Sequence, residues 1–142
     1  MDAEKILPQD IQDRAIKRDR EWGWKRQDIS KVIEAAKSVN LASLGGQVQI
    51  IVEGGTCELY WRNYDSVDQK REESWSDYVD RSAAECLAMF MTVGTEEELV
   101  DDALHTFRYL REYLKVKKAN SAVLTEHIVY VMSFLEEVRQ SR

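Results

Sequence analysis

The chain has few residues that end helices and strands or that cross-link a fold: of its 142 residues, one is proline, six are glycine and two are cysteine. Cys57 and Cys86 can form at most one disulfide, and a domain of this size buries enough surface to do without it. We expect both to be reduced thiols that pack as small apolar groups. No linker, repeat or low-complexity segment divides the sequence, which predicts a single globular domain over residues 1–142.

Long apolar runs are also missing. The most apolar stretch, residues 86–93, is far shorter than the ~20 residues that a bilayer-spanning helix needs. The first eight residues lack the basic segment followed by an apolar segment that is typical of a secretory signal. We therefore expect a cytoplasmic protein without membrane contact.

Charge is unevenly distributed along the chain. The formal net charge is −6, and residues 41–94 hold four Lys/Arg against nine Asp/Glu. Residues 17–26 mix basic side chains with Trp22 and Trp24, a combination that suits single-stranded nucleic acid, but interleaved acids weaken it. Nucleic acid is therefore not an expected partner, whereas a protein with a basic surface would be attracted to the middle of the chain.

Helical periodicity accounts for most of the sequence. Each predicted helix carries one apolar stripe, and several carry N-cap residues such as Asp28, Ser74 and the capping box of Thr95 and Glu98. The predicted helices run from Pro8 towards Trp22, over about 28–40, from Ser74 to Gly94, from Thr95 to about Lys118, and from about 120 to 138.

Between the second and third of these helices the apolar period changes to two. Residues 47–53 and 56–64 alternate on either side of Gly54-Gly55, which predicts a β-hairpin with a two-residue turn. That register pairs Val52 with Cys57, Ile50 with Leu59 and Val48 with Trp61 on an inner face. The outer face then carries Gln49, Glu58, Tyr60 and Arg62.

The predicted fold class is therefore α+β and predominantly α-helical, with four to five amphipathic helices packed around one antiparallel β-hairpin. A lone hairpin is marginal in water, so its apolar face must pack on helices or join a strand that the pattern does not reveal. We favour helices as the cover.

No constellation for catalysis or cofactor binding stands out. Asp101 and His105 lie one helical turn apart, but carboxylates in the first turns of a helix are explained by the helix dipole. No glycine pair opens a helix onto a phosphate. We expect no catalytic residue, no cofactor and no metal. The alternative is an enzyme or small-molecule binder whose site is assembled around Glu58, Arg62, His105 or His127.

The candidate partner-binding surface is the wet side of the second hairpin strand and the loop that follows it. Tyrosine and arginine are favoured in protein interfaces, and carboxylates would steer a basic partner. The alternative is a solvated strand and loop, since Tyr60 can also pack under a neighbouring segment. The candidate residues are Glu58, Tyr60, Arg62, Tyr64, Asp65, Asp68, Glu72 and Glu73.

The segment from Gly46-Gln47-Val48-Gln49-Ile50 to Trp61-Arg62-Asn63-Tyr64, with the amphipathic helix from Ser74, resembles small acidic α+β immunity proteins of bacterial contact-dependent toxin systems. The resemblance spans about residues 41–94 in general character and transfers no role to a particular position. It implies a non-catalytic protein that masks a toxin or nuclease. A structural homo-oligomer that pairs an exposed hairpin edge is the remaining alternative.

Overall fold

The structure is a computed structural model that describes residues 2–138, and it shows an α+β fold. The α-helices of this part of the chain are α1 (Gln9–Arg14), α2 (Ile29–Ser38), α3 (Trp75–Phe90), α4 (Glu96–Thr106) and α5 (Arg108–Lys117). The strands are β1 (Ile16–Arg18), β2 (Glu21–Trp24), β3 (Ala42–Gly45), β4 (Gln47–Val52), β5 (Gly55–Asn63), β6 (Ile128–Val131) and β7 (Ser133–Leu135). Short 3-10 helices cover Ala3–Ile6, Arg26–Asp28 and Ser121–His127.

Five strands form one antiparallel sheet in the order β1-β2-β6-β4-β5, and β3 pairs with β7 beside it. The sixth strand in sequence, β6, is therefore the central strand of the main sheet. It pairs with β2 through Val131 and Tyr130 and with β4 through Tyr130, Val129 and Ile128. The predicted hairpin thus extends its sheet with further strands, in addition to packing on helices.

The β4–β5 hairpin is confirmed, but its predicted register is wrong by two residues. Val52 pairs with Gly55 and Ile50 with Cys57, so the turn consists of Glu53 and Gly54. Gly54 has a positive φ of 88°, whereas Gly55 is part of the strand. Because side chains alternate with a period of two, this shift leaves each predicted inner residue up to Leu59 on the inner face.

A bulge changes the alternation beyond Leu59. Val48 pairs with Leu59 and Gln47 with Asn63, so three residues of β5 have no counterpart on β4. An odd number of extra residues exchanges the two faces. Trp61, predicted to face inward, is consequently on the exposed side, and Tyr64, predicted to lie outside, is fully buried.

The helix ends that carry local signals are where the sequence predicts them. The Ser74 side chain accepts from the backbone N–H of Asp77, and Thr95 and Glu98 form the complete capping box of α4. The Asp28 side chain does not cap α2; it forms an ion pair with Arg14 at 2.9 Å. The predicted helix over 95–118 is broken at Phe107, which is extended and separates α4 from α5.

Two predicted helices are wrong over part of their length. The first ends at Arg14, and a left-handed Asp19 then turns the chain between β1 and β2, so Trp22 and Trp24 lie on a strand. The last, from about 120 to 138, is a 3-10 helix followed by β6 and β7. All four residues of Ile128–Val131 are buried, as in a strand covered on both faces, and spacing alone does not distinguish such a run from a helix.

One main hydrophobic cluster holds the fold together. It contains inward side chains of β2, β4, β5 and β6 and at least one side chain from each of the five α-helices, Ile11 of α1 and Leu110 of α5 among them. Cys57 and Cys86 are free and buried, as expected, and burial raises the pKa of the Cys86 thiol to about 12. Both cysteines therefore behave as packing groups.

Gly46 tests the central position of β6. A Cβ built on Gly46 would lie 1.8 Å from the backbone oxygen of Val131, which cannot move without displacing the strand. We expect Gly46→Ala to reduce the free energy of unfolding by about 3 kcal/mol or more. Urea denaturation followed by circular dichroism would measure the loss.

Gly55→Ala is the matched control, because its Cβ would meet only the Tyr109 ring at 3.2 Å. We expect a clearly smaller loss for this variant. Equal stability of Gly46→Ala and the unmodified chain would contradict the placement of β6 against Gly46.

Candidate functional site

The end of β5 presents an aromatic pair at the surface. Tyr60 is 68% exposed and Trp61 is 37% exposed, and their rings meet edge to face with centroids 5.0 Å apart. The Trp61 ring also stacks on Phe107, at the break between α4 and α5, with centroids 6.0 Å apart. The bulge turns Trp61 outward, and Phe107 supports one face of its ring.

Asp102 of α4 connects this pair to Arg62. Its Oδ2 atom accepts from the Trp61 indole N–H at 2.5 Å and from Nε of Arg62 at 3.2 Å. A second Arg62 nitrogen donates to the backbone oxygen of Val93 at 3.1 Å. Arg62 is therefore tied to α4 and to the α3–α4 loop, and its charge is balanced by Asp102.

A surface groove of about 400 Å³ opens beside these residues, and we call it the Trp61 groove. The end of α3 contributes Met89 to this groove, and its side chain is 42% exposed. Met89 and Asp102 were not predicted. Met89 lies off the apolar stripe of α3, and an apolar residue outside the stripe is a signal of exposure that the sequence offered. Asp102 gave no such signal, because acidic residues are common near the start of a helix. The groove is lined by Trp61, Arg62, Asn63, Met89, Thr92, Val93 and Asp102.

Arg26 also holds the α3–α4 loop. Its guanidinium donates to the backbone oxygen of Gly94 and, through Nε, to the Tyr130 hydroxyl at 2.9 Å. Tyr130 in turn donates to Glu96 at the start of α4, at 3.1 Å. Two arginines and a tyrosine thus fix the loop that forms one wall of the Trp61 groove.

Tyr64 is the clearest correction to the predicted surface. Its side chain is fully buried, and its hydroxyl lies 2.6 Å from the backbone oxygen of Val131 and 3.1 Å from that of Gln47. Burial raises its pKa well above the usual tyrosine value. Tyr64 therefore joins β6 to the start of β4 and presents nothing to a partner.

The loop after β5 is fastened to α3 by Arg81. Its guanidinium contacts both carboxylate oxygens of Glu73, at 2.6 and 2.7 Å, and Glu85 at 2.7 Å, and it donates to the backbone oxygens of Val67 and Asp68. This pairing lowers the pKa of Glu73 to about 2. Glu73 is therefore a structural anchor of the loop, with its carboxylate turned towards Arg81.

The remaining predicted surface residues are exposed on two elements, strand β5 and the loop after it. Glu58 is exposed on β5, 3.5 Å from the Gln49 amide. Asp65, Asp68 and Glu72 are exposed along the loop that Arg81 holds. The structure therefore divides the predicted surface into a strand part around Glu58, Tyr60 and Arg62 and an acidic loop part.

Three of the four residues of the enzyme alternative, Arg62, His105 and His127, lie in separate environments. Arg62 lines the Trp61 groove, whereas His105 lies in a different groove with Asp101 and Arg111. The His127 ring is 2.9 Å from the backbone oxygen of Ile51. Over residues 2–138, no group of three or more His, Cys, Asp or Glu side chains is arranged to hold a metal ion.

The Arg81 anchor can be tested by proteolysis, because Lys70 and Arg71 are trypsin sites in the loop that it holds. We expect Arg81→Ala to increase cleavage after these residues roughly tenfold at pH 8, since cleavage follows the population of the open loop. Arg108→Ala, which removes an exposed pair with Glu112, is the matched control and should leave cleavage unchanged. Equal cleavage of both variants would contradict the anchor.

The pH dependence of the anchor follows from the pKa of Glu73. Because this pKa is lowered from its unfolded value to about 2, the contribution is fully present above about pH 4.5 and is lost as the pH falls towards 2. The backbone N–H of Lys70 donates to Glu73 at 3.1 Å and reports the change directly. We expect its hydrogen-exchange protection to fall over this range, and Glu73→Gln to remove the pH dependence.

Comparison with known proteins gives one family. The model of the family described as immunity protein 40 matches residues 11–107, which extend from α1 through α4 and include β1 to β5. Neither the curated proteins nor the solved structures yield a significant match. Among residues 2–138, no helix combines the length and apolar character needed to cross a bilayer. Since the family match covers well over half of the sequence and agrees with the resemblance seen in the residues, the chain belongs to the immunity protein 40 family.

Proposed function

We propose that this chain neutralises a toxin protein by binding to it and masking its surface, without catalysing a reaction itself. The observation that carries the proposal is the family match over residues 11–107. An immunity protein acts on a protein partner, so the surface that contacts this partner is the functional site.

The charge distribution supports a partner with a basic surface. Residues 41–107 contain four Lys/Arg against fourteen Asp/Glu. Of the four basic residues, Arg62 and Arg81 are paired with carboxylates of the same chain. The uncompensated charge of this region is therefore negative, which would accelerate encounter with a basic protein and oppose binding to nucleic acid.

The proposed contact surface combines the strand part and the loop part of the predicted site. Tyr60 and Trp61 supply rigid aromatic area, and tyrosine, tryptophan and arginine are the residues that dominate interface energetics. Glu58, Asp65, Asp68 and Glu72 would act mainly on the association rate, because exposed charges steer a partner more than they hold it.

Protection of a bacterial host tests the proposed function. The full chain and the toxin encoded beside its gene are co-expressed in the cytoplasm of the host, and we expect the chain to restore growth. We also expect it to form a complex with the purified toxin domain. Absence of both protection and complex would overturn the proposal.

A charge-reversal variant tests the part assigned to the acidic loop. We expect Asp65→Lys, Asp68→Lys and Glu72→Lys together to slow association about tenfold at low salt, with a smaller effect at high salt. The matched control reverses three exposed acids elsewhere, Asp10, Glu34 and Glu112. Stopped-flow fluorescence would measure both rates, and equal slowing would contradict a steering role for the loop.

A further inference from the structure

The Trp61 groove has the composition of a site for an organic cation. The Trp61 ring lines the groove and contacts the Tyr60 ring, and ring faces attract ammonium and guanidinium groups. The flexible thioether of Met89 also lines the groove and can adapt to an aliphatic stem. A long side chain with a charged end requires this combination of apolar walls and an electronegative end.

Asp102 provides the negative end. Its Oδ2 atom accepts from Trp61 and Arg62, whereas its Oδ1 atom has no hydrogen-bond partner within residues 2–138. The Asp102 side chain is 29% exposed and lines the groove, so its carboxylate is accessible to a ligand. A donor entering the groove would form a charge-assisted hydrogen bond there.

The charge around the groove, more than the charge inside it, favours a cation: its lining contains one carboxylate and one guanidinium, but the segment 41–107 that supplies every lining residue holds four Lys/Arg against fourteen Asp/Glu. Arg62 is the one cation among the lining residues, and it is engaged with Asp102 and the Val93 carbonyl. Glu98 lies nearby: a Cβ built on Gly94 would be 3.5 Å from its carboxylate and 3.2 Å from Arg62. The cation of the lining is thus already paired, and the nearest further charge to Gly94 is another carboxylate.

A second apolar groove, beside α5, differs in this respect. It is lined by Tyr109, Tyr113 and Val116 together with Glu53, Glu112 and Lys117. Its helix carries five basic residues from Arg108 to Lys118 against one acidic residue. The helix beside this groove is therefore basic, although the lining includes two carboxylates, whereas the segment that supplies the Trp61 groove is acidic.

We propose that the Trp61 groove binds a lysine or arginine side chain of the toxin partner, with Asp102 Oδ1 as the acceptor and the Trp61 ring beside the cation. This inference rests on the proposed function, since it identifies the chemistry by which the same surface holds its partner. Asp102 and Met89 then become specificity-determining residues, while the acidic loop contributes to encounter.

Titration of the full chain with short peptides tests the groove independently of any toxin. The probes are the blocked tripeptides Gly-Arg-Gly, Gly-Lys-Gly and Gly-Glu-Gly, and the reporter is the Trp61 indole N–H, which donates to Asp102. We expect its NMR resonance to move with the arginine and lysine peptides and to stay in place with the glutamate peptide. The Trp75 indole N–H, bonded to the Asn40 carbonyl, is the internal control. A Trp61 resonance that does not move, or that moves equally with all three peptides, would overturn the proposal.

A pair of lysine substitutions tests the groove with the purified toxin domain. Met89→Lys places a competing cation in the groove, whereas Met91→Lys makes the same change two residues away at a side chain that is 76% exposed and outside the lining. We expect the dissociation constant to rise at least about tenfold for Met89→Lys and less than about twofold for Met91→Lys. Thermal melting of both variants should match the unmodified chain, because both side chains are exposed.

The outcomes separate the two proposals. If the unmodified chain binds the toxin and Met89→Lys binds equally well, or if both lysine variants weaken binding equally, the groove assignment is wrong and the proposed function stands. If the unmodified chain neither binds nor protects, the proposed function is wrong. The peptide titration then decides whether the groove recognises cations at all.

Discussion

The main sheet is continuous because β6 lies between β2 and β4. These two strands do not pair with each other; each pairs with β6, which supplies the hydrogen bonds on both sides. In the chain, β6 follows α3, α4 and α5, so residues 128–131 must come back to the space between β2 and β4 before the sheet is complete. Such long-range pairing requires a large loss of chain entropy before it is stabilised, which favours slow folding. The family match ends at residue 107, so the matched segment depends on a strand outside it.

The candidate site depends on the same strand. The Tyr64 hydroxyl lies within hydrogen-bond distance of the Val131 backbone oxygen and so holds the end of β5 against β6. Tyr130 of β6 joins Arg26 to Glu96 and thereby steadies the α3–α4 loop. The wall of the Trp61 groove and the bulge that exposes Trp61 are both positioned by β6. A partner would thus meet a largely preorganised surface, which lowers the entropy lost on binding.

The two parts of the proposed contact surface would have different physical roles. The acidic loop, fastened by Arg81, carries charges in solvent, where their effect on affinity is small and their effect on encounter is larger. The Trp61 groove combines aromatic area with a partly shielded carboxylate, where one contact contributes more. We expect this division to give rapid encounter with the proposed partner, followed by slow release.

Local signals were predictable from the sequence. The capping residues Ser74, Thr95 and Glu98 act within one helical turn, so the starts of α3 and α4 could be read without knowledge of the rest of the fold. The β4–β5 hairpin was predictable for the same reason. Its register was wrong by two residues, yet the inner face up to Leu59 was right, because faces depend on the parity of the pairing.

Only the tertiary structure decided the features that involve distant segments. The apolar run of β6 has a spacing that also fits a helix, and it became a strand because β2 and β4 offer it partners on both sides. Tyr64 and Trp61 exchanged faces because a three-residue bulge lies between Leu59 and Asn63. The meeting of Met89, Asp102 and Trp61 joins α3, α4 and β5 in space. By itself the sequence determined the α+β class, the acidic middle and most helices, because these follow from composition and local periodicity, whereas strand order and groove geometry required the closed sheet.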